Sequence, residues 1–445
     1  MNTTKKSFTS AFIFVTLLFF LWGFITVLVD SLIPRLKEVF TLNYAQSSLV
    51  QLAFFGAFFV LAIPSGFILK RIGYQKGIVL GLFVMASGCL LFYPAASLRT
   101  FGIFMLAYFV LAAGITILQV AVNPYVSVLG AESGASSRLN LAQAFNSFGT
   151  LLAPIFGSIL ILSDTVKTKQ EIAILTEAEK TTYLTNEALA VQSPFLGITI
   201  LIVVLAIVFF IIKLPKILEE QEKIDFGSLF KHKNLLLGSL GIFFYVGAEV
   251  AIGSYLVNYF LEMNLYDTIK GNGTMMGIAN SITNIFNISF DNRDPKALLG
   301  IFVTFYWGSA MIGRFIGAYL TKIVSPKKVL ALFAILAIGM ILISINSTGL
   351  VLMWSILAVG LFNSIMFPTI FTTSIEGLGN LKPHASGLLC TMIVGGALIP
   401  PVFGWAIDGF GFKLAFIVAI VCYLYIIFYA NSEKLIKKTK SNVKP

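Results

Sequence analysis

Side chains able to do chemistry are scarce in this 445-residue chain. Only 11% of its residues are charged, and it has 20 acids, two histidines and three cysteines. Cys89, Cys390 and Cys422 lie far apart inside apolar runs, which excludes a disulfide framework and leaves no metal-ligand spacing. His232 and His384 stand apart, at loop positions. No His/Cys/Asp set, nucleophile elbow or phosphate-cradling glycine loop is present, so neither an enzyme nor a cofactor is expected. Apolar surface, by contrast, is abundant. The hydrophobic share is 58% and the mean hydropathy +0.91. No soluble domain needs that much, whereas each membrane crossing takes about 20 apolar residues.

Twelve apolar runs are present, at 9–36, 46–69, 76–97, 101–129, 138–163, 193–213, 236–262, 298–321, 327–346, 350–373, 384–407 and 412–432. Backbone groups in lipid must be satisfied within the segment, so these runs read as helices. The expected fold class is an all-α polytopic membrane protein with twelve transmembrane helices. The first run follows Lys5 and Lys6 but is too long for a signal peptide and has no small-residue cleavage site, so it reads as a retained helix.

The net charge of +11 could suggest nucleic acid, but its placement excludes that partner. Most Lys and Arg residues fall in the N-terminus, the even-numbered loops and the tail, among them Lys70, Arg71, Lys76, Arg138, Lys213, Lys216, Lys322, Lys327, Lys328, Lys434, Lys437, Lys438 and Lys440. That asymmetry follows the positive-inside rule. It predicts a multi-pass protein of a bacterial plasma (inner) membrane, with both termini cytoplasmic and the lipid bilayer as a partner.

The chain also repeats itself. PIFG at 154–157 returns as PVFG at 401–404, each downstream of a glycine, Gly130 or Gly377. GFILKRIGYQKGIVL (66–80) and GAYLTKIVSPKKVLA (317–331) keep Gly, a basic residue and Lys in register. The expected organisation is an N-terminal six-helix bundle (1–213), a cytoplasmic linker (214–235) and a C-terminal six-helix bundle with a basic tail (236–445). Two similar parallel halves are the layout of secondary transporters, whose substrate site lies at mid-membrane between them. Segments 164–192 and 263–297 read as long outward loops, the second carrying Asn287-Ile288-Ser289. The linker and tail are too short for a signalling domain, which counts against a non-transporting nutrient sensor.

Almost every acid sits in a loop. Asp408 reads as interfacial, whereas Asp30 in the first run and Glu249 in the seventh lie at membrane depth. There a charge costs roughly 2.5–3.5 kcal/mol, so such residues face a cavity or a partner. Both are candidates for reversible protonation, and the structural alternative pairs one of them with Arg314. Trp22, Thr26 and Asp30 fall at i, i+4 and i+8, as one stripe. Gln119 and Asn123 align on the fourth run, Asn140, Gln143, Asn146, Ser147 and Thr150 on the fifth, and Tyr245, Glu249 and Gly253 on the seventh. Amides beside aromatic rings suit a neutral polyol, whose hydroxyls need partners and whose C–H face packs on a ring. Amide stripes also glue helices together.

The segments LFFLWGFITVLVDSLIPRL (18–36), LQVAVNPYVSVLG (118–130), SRLNLAQAFNSFGTLLAP (137–154), FYVGAEVAIGSYLVNYF (244–260), GRFIGAYL (313–320) and FPTIF (367–371) resemble the major facilitator superfamily. Within it they are similar to the fucose–galactose–glucose symporter family. The resemblance implies two pseudo-symmetric six-helix bundles, with Asp30 as the essential helix-1 acid and Gln143 as a sugar-contacting glutamine. Two departures matter. Gln119 stands where fucose permeases carry a glutamate, while GAEVAIGS around Glu249 looks like the glucose/galactose branch. The superfamily loop pattern Gly-x-Leu-x-Asp-Arg lacks its Asp, because Lys70 stands there.

The expectation is thus a secondary active importer of a small neutral sugar (glucose, galactose or a related hexose), proton-coupled, working by alternating access as a monomer. Na⁺ coupling, and fucose or an N-acetylhexosamine as substrate, are the alternatives. Asp30 and Glu249 are the proton-coupling candidates. Trp22, Thr26, Gln119, Asn123, Gln143, Asn146, Tyr245 and Glu249 are the substrate-binding candidates.

Overall fold

The computed structural model describes residues 2–39, 44–98, 100–161, 174–215, 226–286 and 294–441; within these, side chains are left out at 2–7, 29–39, 44–51, 154–161, 184, 187–191, 226, 286 and 433–441. Among the described residues every regular element is a helix. The first half contains α1 (Asn2–Val39), α2 (Tyr44–Ile72), α3 (Tyr74–Leu98), α4 (Phe101–Val128), α5 (Ala135–Ile161) and α6 (Glu177–Ile211). The second contains α7 (Lys233–Glu262), α8 (Leu265–Lys270), α9 (Gly273–Phe286), α10 (Pro295–Ile323), α11 (Pro326–Ile345), α12 (Gly349–Asn363), α13 (Met366–Ser374), α14 (Lys382–Thr391), α15 (Gly395–Phe410) and α16 (Phe412–Ser441).

Among the described residues, eleven helical stretches are long and apolar enough to cross a membrane, with α12–α13 forming one and α14–α15 another. The twelfth crossing is α5, whose side chains are described as far as Ala153. Phe210 and Trp405 are about 70% exposed, as lipid-facing side chains are in a bundle whose solvent is hydrocarbon.

Three local readings are corrected. The segment 263–297 is not an open loop, because it contains α8 and α9. The polar segment 164–192 turns helical at Glu177, where Thr176 and Glu179 form a capping box: the Thr176 N–H donates to Glu179 Oε2 (3.0 Å) and the Glu179 N–H to Thr176 Oγ1 (3.4 Å). His384 lies within α14 and is buried. The three cysteines are buried and free. Residues 216–225 of the linker, and the Asn287-Ile288-Ser289 triplet, lie outside the described residues.

Helix ends leave orphan carbonyls that need donors. At the end of α6, Gln75 supplies them, its amide donating to the carbonyls of Phe209 (2.9 Å) and Ile212 while its Oε1 accepts from the Leu214 N–H. In lipid, association rests on close packing and polar contacts rather than on the hydrophobic effect, so small residues sit at the crossings. Gly88 on α3 and Gly114 on α4 face each other's helix, and a Cβ at Gly114 would run into the Met85 backbone. Phe92 and Phe195 stack at 4.2 Å to pin α6 onto α3.

Within the first half α3 packs on α4 and α6, and α1 on α5; within the second α7 packs on α15 and α16, and α10 on α12. The halves meet along two seams, α5 on α10 and α2 on α14. The sequence repeat relates α2 to α10 and α5 to α14–α15, so each seam is the repeat image of the other.

Gly114→Ala should therefore lower the thermal unfolding midpoint in detergent, by an amount corresponding to roughly 1–3 kcal/mol of overpacking. At Gly197 on α6 an added methyl group would meet nothing within 4 Å, so Gly197→Ala should leave the midpoint unchanged. Equal midpoints for both variants would contradict the tight α3–α4 crossing.

Candidate functional site

The site candidates stand on α1, α4, α5 and α7, and the packing of α1 against α5 sets the first part of the arrangement. Trp22 is buried and lies 5.5 Å from the Phe19 ring. Thr26 donates its hydroxyl back to the Trp22 carbonyl at 2.9 Å, so the stripe is held within its own helix. One turn earlier the Asn146 amide of α5 donates to the Phe19 carbonyl at 2.9 Å, directly beside Gly23. Asn146 thus uses one donor to join α5 to α1. Asp30 is in α1, and its side chain lies outside the described residues.

On α4, Gln119 is half-buried and Asn123 wholly buried. Neither amide atom of Asn123 has a hydrogen-bond partner among the described residues. An unpaired buried polar group costs about 1–3 kcal/mol. Asn140 on α5 donates to the Ser136 carbonyl (2.9 Å) and to Thr369 Oγ1 (3.3 Å), leaving its Oδ1 unpartnered. Gln143 is buried.

On α7, Tyr245 is buried and its hydroxyl lies near the Glu249 carboxyl, without a hydrogen bond of ordinary geometry. Behind them runs a chain of buried hydrogen bonds. Tyr423 donates to Asn363 Oδ1 (2.6 Å), the Asn363 amide donates to the Tyr306 hydroxyl (2.7 Å), and Tyr306 reaches the Glu249 carbonyl at 3.4 Å. Four helices are thereby tied around Glu249.

Arg314 on α10 is the residue that sequence reasoning underrated. It donates through Nε to the Ser364 carbonyl (3.2 Å) and through Nη1 to the Gln143 carbonyl (3.4 Å) and the Ser147 hydroxyl. Its charge also reaches Glu249. The guanidinium therefore brings α5, α10 and the break between α12 and α13 together, whereas Gln119 and Asn123 are not tied to this group by any hydrogen bond among the described residues. The available signal was Pro368, four residues beyond Ser364, which leaves that carbonyl without a helical donor.

Further along the seam, Ser136 and Thr372 share a hydrogen bond (2.6 Å), Ser137 donates to the Ala318 carbonyl (2.6 Å) and Ser386 to the Val120 carbonyl (2.9 Å). At its end Glu132 pairs with Lys382 at 3.0 Å and accepts the Gly377 N–H at 3.0 Å. Gly130 and Gly377, the repeat's matching glycines, both have positive φ (130° and 72°). Arg138 braces the first of these loops by donating to the carbonyls of Val126, Ser127 and Ala131.

This is the geometry of a two-bundle membrane protein closed along one end, with neutral amides, a carboxyl and a guanidinium gathered at depth. The family model of the Major Facilitator Superfamily matches residues 8–393. The chain belongs to that superfamily. It is 45% identical over 431 residues (96% of this chain and 95% of the relative) to a protein of Brucella abortus biovar 1 (strain 9-941) named glucose/galactose transporter. It is 33% identical to the L-fucose-proton symporter of Escherichia coli (strain K12), across 96% of this chain and 94% of that one. The crystal structure of FucP, a superfamily transporter in the outward conformation, superposes with a TM-score of 0.84 at 31% identity, covering 96% of this chain and 99% of that one.

The Gly377 N–H, and then the Lys382 ammonium, hold the Glu132 carboxyl below the ordinary carboxylate range against a modest desolvation. A depressed acid contributes stability above its unfolded-state pKa and loses it as pH falls through the folded one. The thermal-midpoint difference between the protein and Glu132→Gln should thus stay constant from about pH 8 to pH 5.5 and shrink only below that, where carboxylates titrate. It should be small, since partly exposed pairs contribute about 0.2–1 kcal/mol. A difference that vanishes between pH 8 and 6 would refute the pairing.

Proposed function

We propose that the chain is a secondary active sugar importer, for glucose, galactose or a related hexose, coupled to protons and working by alternating access. The observation that carries this reading is that, on α4, α5 and α7, neutral buried groups are left without a hydrogen bond of ordinary geometry among the described residues, namely both amide atoms of Asn123, the Asn140 Oδ1 and the Tyr245 hydroxyl. A hydroxyl-rich neutral ligand offers donors and acceptors to such groups together. The 45% identical relative, named glucose/galactose transporter, supports a hexose, and the L-fucose-proton symporter supports the proton.

In this reading Asp30 and Glu249 are the coupling acids. Trp22, Thr26, Gln119, Asn123, Gln143, Asn146, Tyr245 and Glu249 line the sugar's path. Residues 1–213 and 236–445 are the two rocking bundles, joined by 214–235, and one chain is the working unit. The protein resides in a bacterial plasma membrane with both termini cytoplasmic, because the basic loops around Lys70, Arg71, Arg138, Lys322 and Lys382 lie at the closed end. A seam shut at that end corresponds to an outward-facing state. From there a bound sugar and a proton travel inward together, driven by the pH gradient and by about 2.3 kcal/mol per charge per 100 mV of membrane potential.

The test is uptake of labelled galactose by proteoliposomes under imposed gradients, with a panel of competing sugars. Accumulation should follow an inward proton gradient, and glucose should compete. Accumulation driven by Na⁺ alone would reassign the ion, competition by fucose or an N-acetylhexosamine alone would reassign the sugar, and no uptake under either gradient would remove the function.

Glu249→Gln keeps the side chain's volume and removes its titration. It should reduce uphill accumulation to near the equilibrium level while exchange of internal for external sugar persists, because exchange requires no net protonation change. Loss of exchange together with sugar binding would make Glu249 a sugar ligand, and normal accumulation would leave it as a helix-packing residue.

A further inference from the structure

Two sequence motifs, GRFIGAYL (313–320) and FPTIF (367–371), are far apart in the chain and have no role yet in the transport reading. The structure brings them together at a break in the tenth crossing. Its two pieces, α12 and α13, are interrupted at Ser364–Ile365. Pro368 carries no N–H, so the carbonyl four residues earlier, that of Ser364, has no helical donor. In a membrane interior a free carbonyl must find one elsewhere. The donor is Arg314 Nε, at 3.2 Å.

Gly313 makes this possible. A Cβ there would strike the Leu361 carbonyl and the Ser364 hydroxyl, which itself turns back to the Leu361 carbonyl at 2.6 Å. Without a side chain at 313, α10 closes onto the break and delivers the next residue, Arg314, to the freed carbonyl. One edge of the guanidinium is then anchored in the second half. The other edge crosses the seam to the Gln143 carbonyl and the Ser147 hydroxyl of the first half. A guanidinium is a rigid planar fork, so fixing one nitrogen aims the others.

We propose that Pro368 and Gly313 are positioning residues that hold Arg314 as a tie between the two halves, and that opening of the closed end requires this tie to leave Ser147 and Gln143. The proline acts through the carbonyl it frees and not through the bend alone. The helix break, the glycine and the arginine form one device, and it bears on α5 at Gln143, the turn that the transport reading assigns to sugar.

A merely structural proline and a positioning proline give different double-mutant cycles. The full-length protein carrying Ser137→Cys, a seam position whose hydroxyl donates to the Ala318 carbonyl, is reconstituted and labelled with a membrane-impermeant maleimide; the three native cysteines are buried. Pro368→Ala restores a helical N–H to compete for Ser364, and should speed labelling by about three- to tenfold, the scale of losing one ordinary hydrogen bond. Arg314→Gln should speed it similarly, and Pro368→Ala added to Arg314→Gln should add nothing. Ser147→Ala leaves the helix break untouched and should also speed labelling, which keeps the test decisive if the proline variant does not fold. An equal effect of Pro368→Ala with and without Arg314 would overturn the proposal, as would an unchanged rate in Ser147→Ala. The inference rests on the proposed cytoplasmic placement only for the vesicle face that the maleimide must reach. Labelling of the parent from the opposite face would refute that placement and leave the comparison of variants intact.

Discussion

Lipid offers no hydrogen bonds, and each polar group carried into it must be met by another part of the chain. Helices meet this condition for the backbone, except where a proline or a helix end frees a carbonyl. Those exceptions are where the second half is built. Ser364, freed by Pro368, draws Arg314 inward, and Arg314 in turn meets Ser147 and Gln143. Asn363, the last residue of α12, joins Tyr306 to Tyr423 and so ties α10 and α16 to the same break. A missing backbone N–H thus ends up specifying where the Arg314 guanidinium sits.

The same requirement explains the character of the interface between the halves. A seam that must open and close cannot be a continuous apolar core, since its faces meet water when they part, at about 25 cal/mol for each Å² of apolar surface uncovered. It is instead made of short polar contacts that can be exchanged, Ser136 with Thr372, Ser137 with Ala318, Asn140 with Thr369 and Ser386 with Val120. Each uses a small hydroxyl or amide that ordered water or its own helix can satisfy once the halves part. Thr372 already shows this dual use, since its hydroxyl also bonds back to the Pro368 carbonyl at 2.8 Å.

Hydropathy and repetition made the twelve crossings and the two halves legible, because those features depend on local composition and on comparing the chain with itself. The stripes on α4, α5 and α7 were legible for the same reason, as helical spacing alone puts Gln119 beside Asn123 and Tyr245 beside Glu249. Partnership was not legible. Nothing local says that Asn146 will donate to Phe19, or that Arg314 will bridge to Ser147 rather than pair with an acid. These choices depend on which helices cross at which depth. The freed carbonyl of Ser364 could be read from Pro368, but its donor lies 50 residues away. Helices α8 and α9 are hidden in the sequence because their short runs are amphipathic rather than uniformly apolar. His384 reads as a loop residue because it follows Pro383, yet a proline starts a helix as readily as it ends one.

Charge at the closed end completes the picture. The superfamily's loop pattern would place an aspartate where this chain has Lys70. The Lys70 ammonium is buried with no hydrogen-bond partner among the described residues, and nearby His384 packs edge-on against Phe67 at 4.8 Å. Lys70 near the end of α2 and His384 in α14 thus stand at one corner of the α2–α14 seam. A carboxylate–ammonium pair does join the halves, but elsewhere: Glu132 follows α4, and Lys382 opens α14. One partly exposed pair contributes only about 0.2–1 kcal/mol, so the hydroxyl contacts and the Arg314 tie carry most of the closure. Contacts of this size can be exchanged one by one, as a carrier needs if substrate binding at mid-membrane is to decide which side opens.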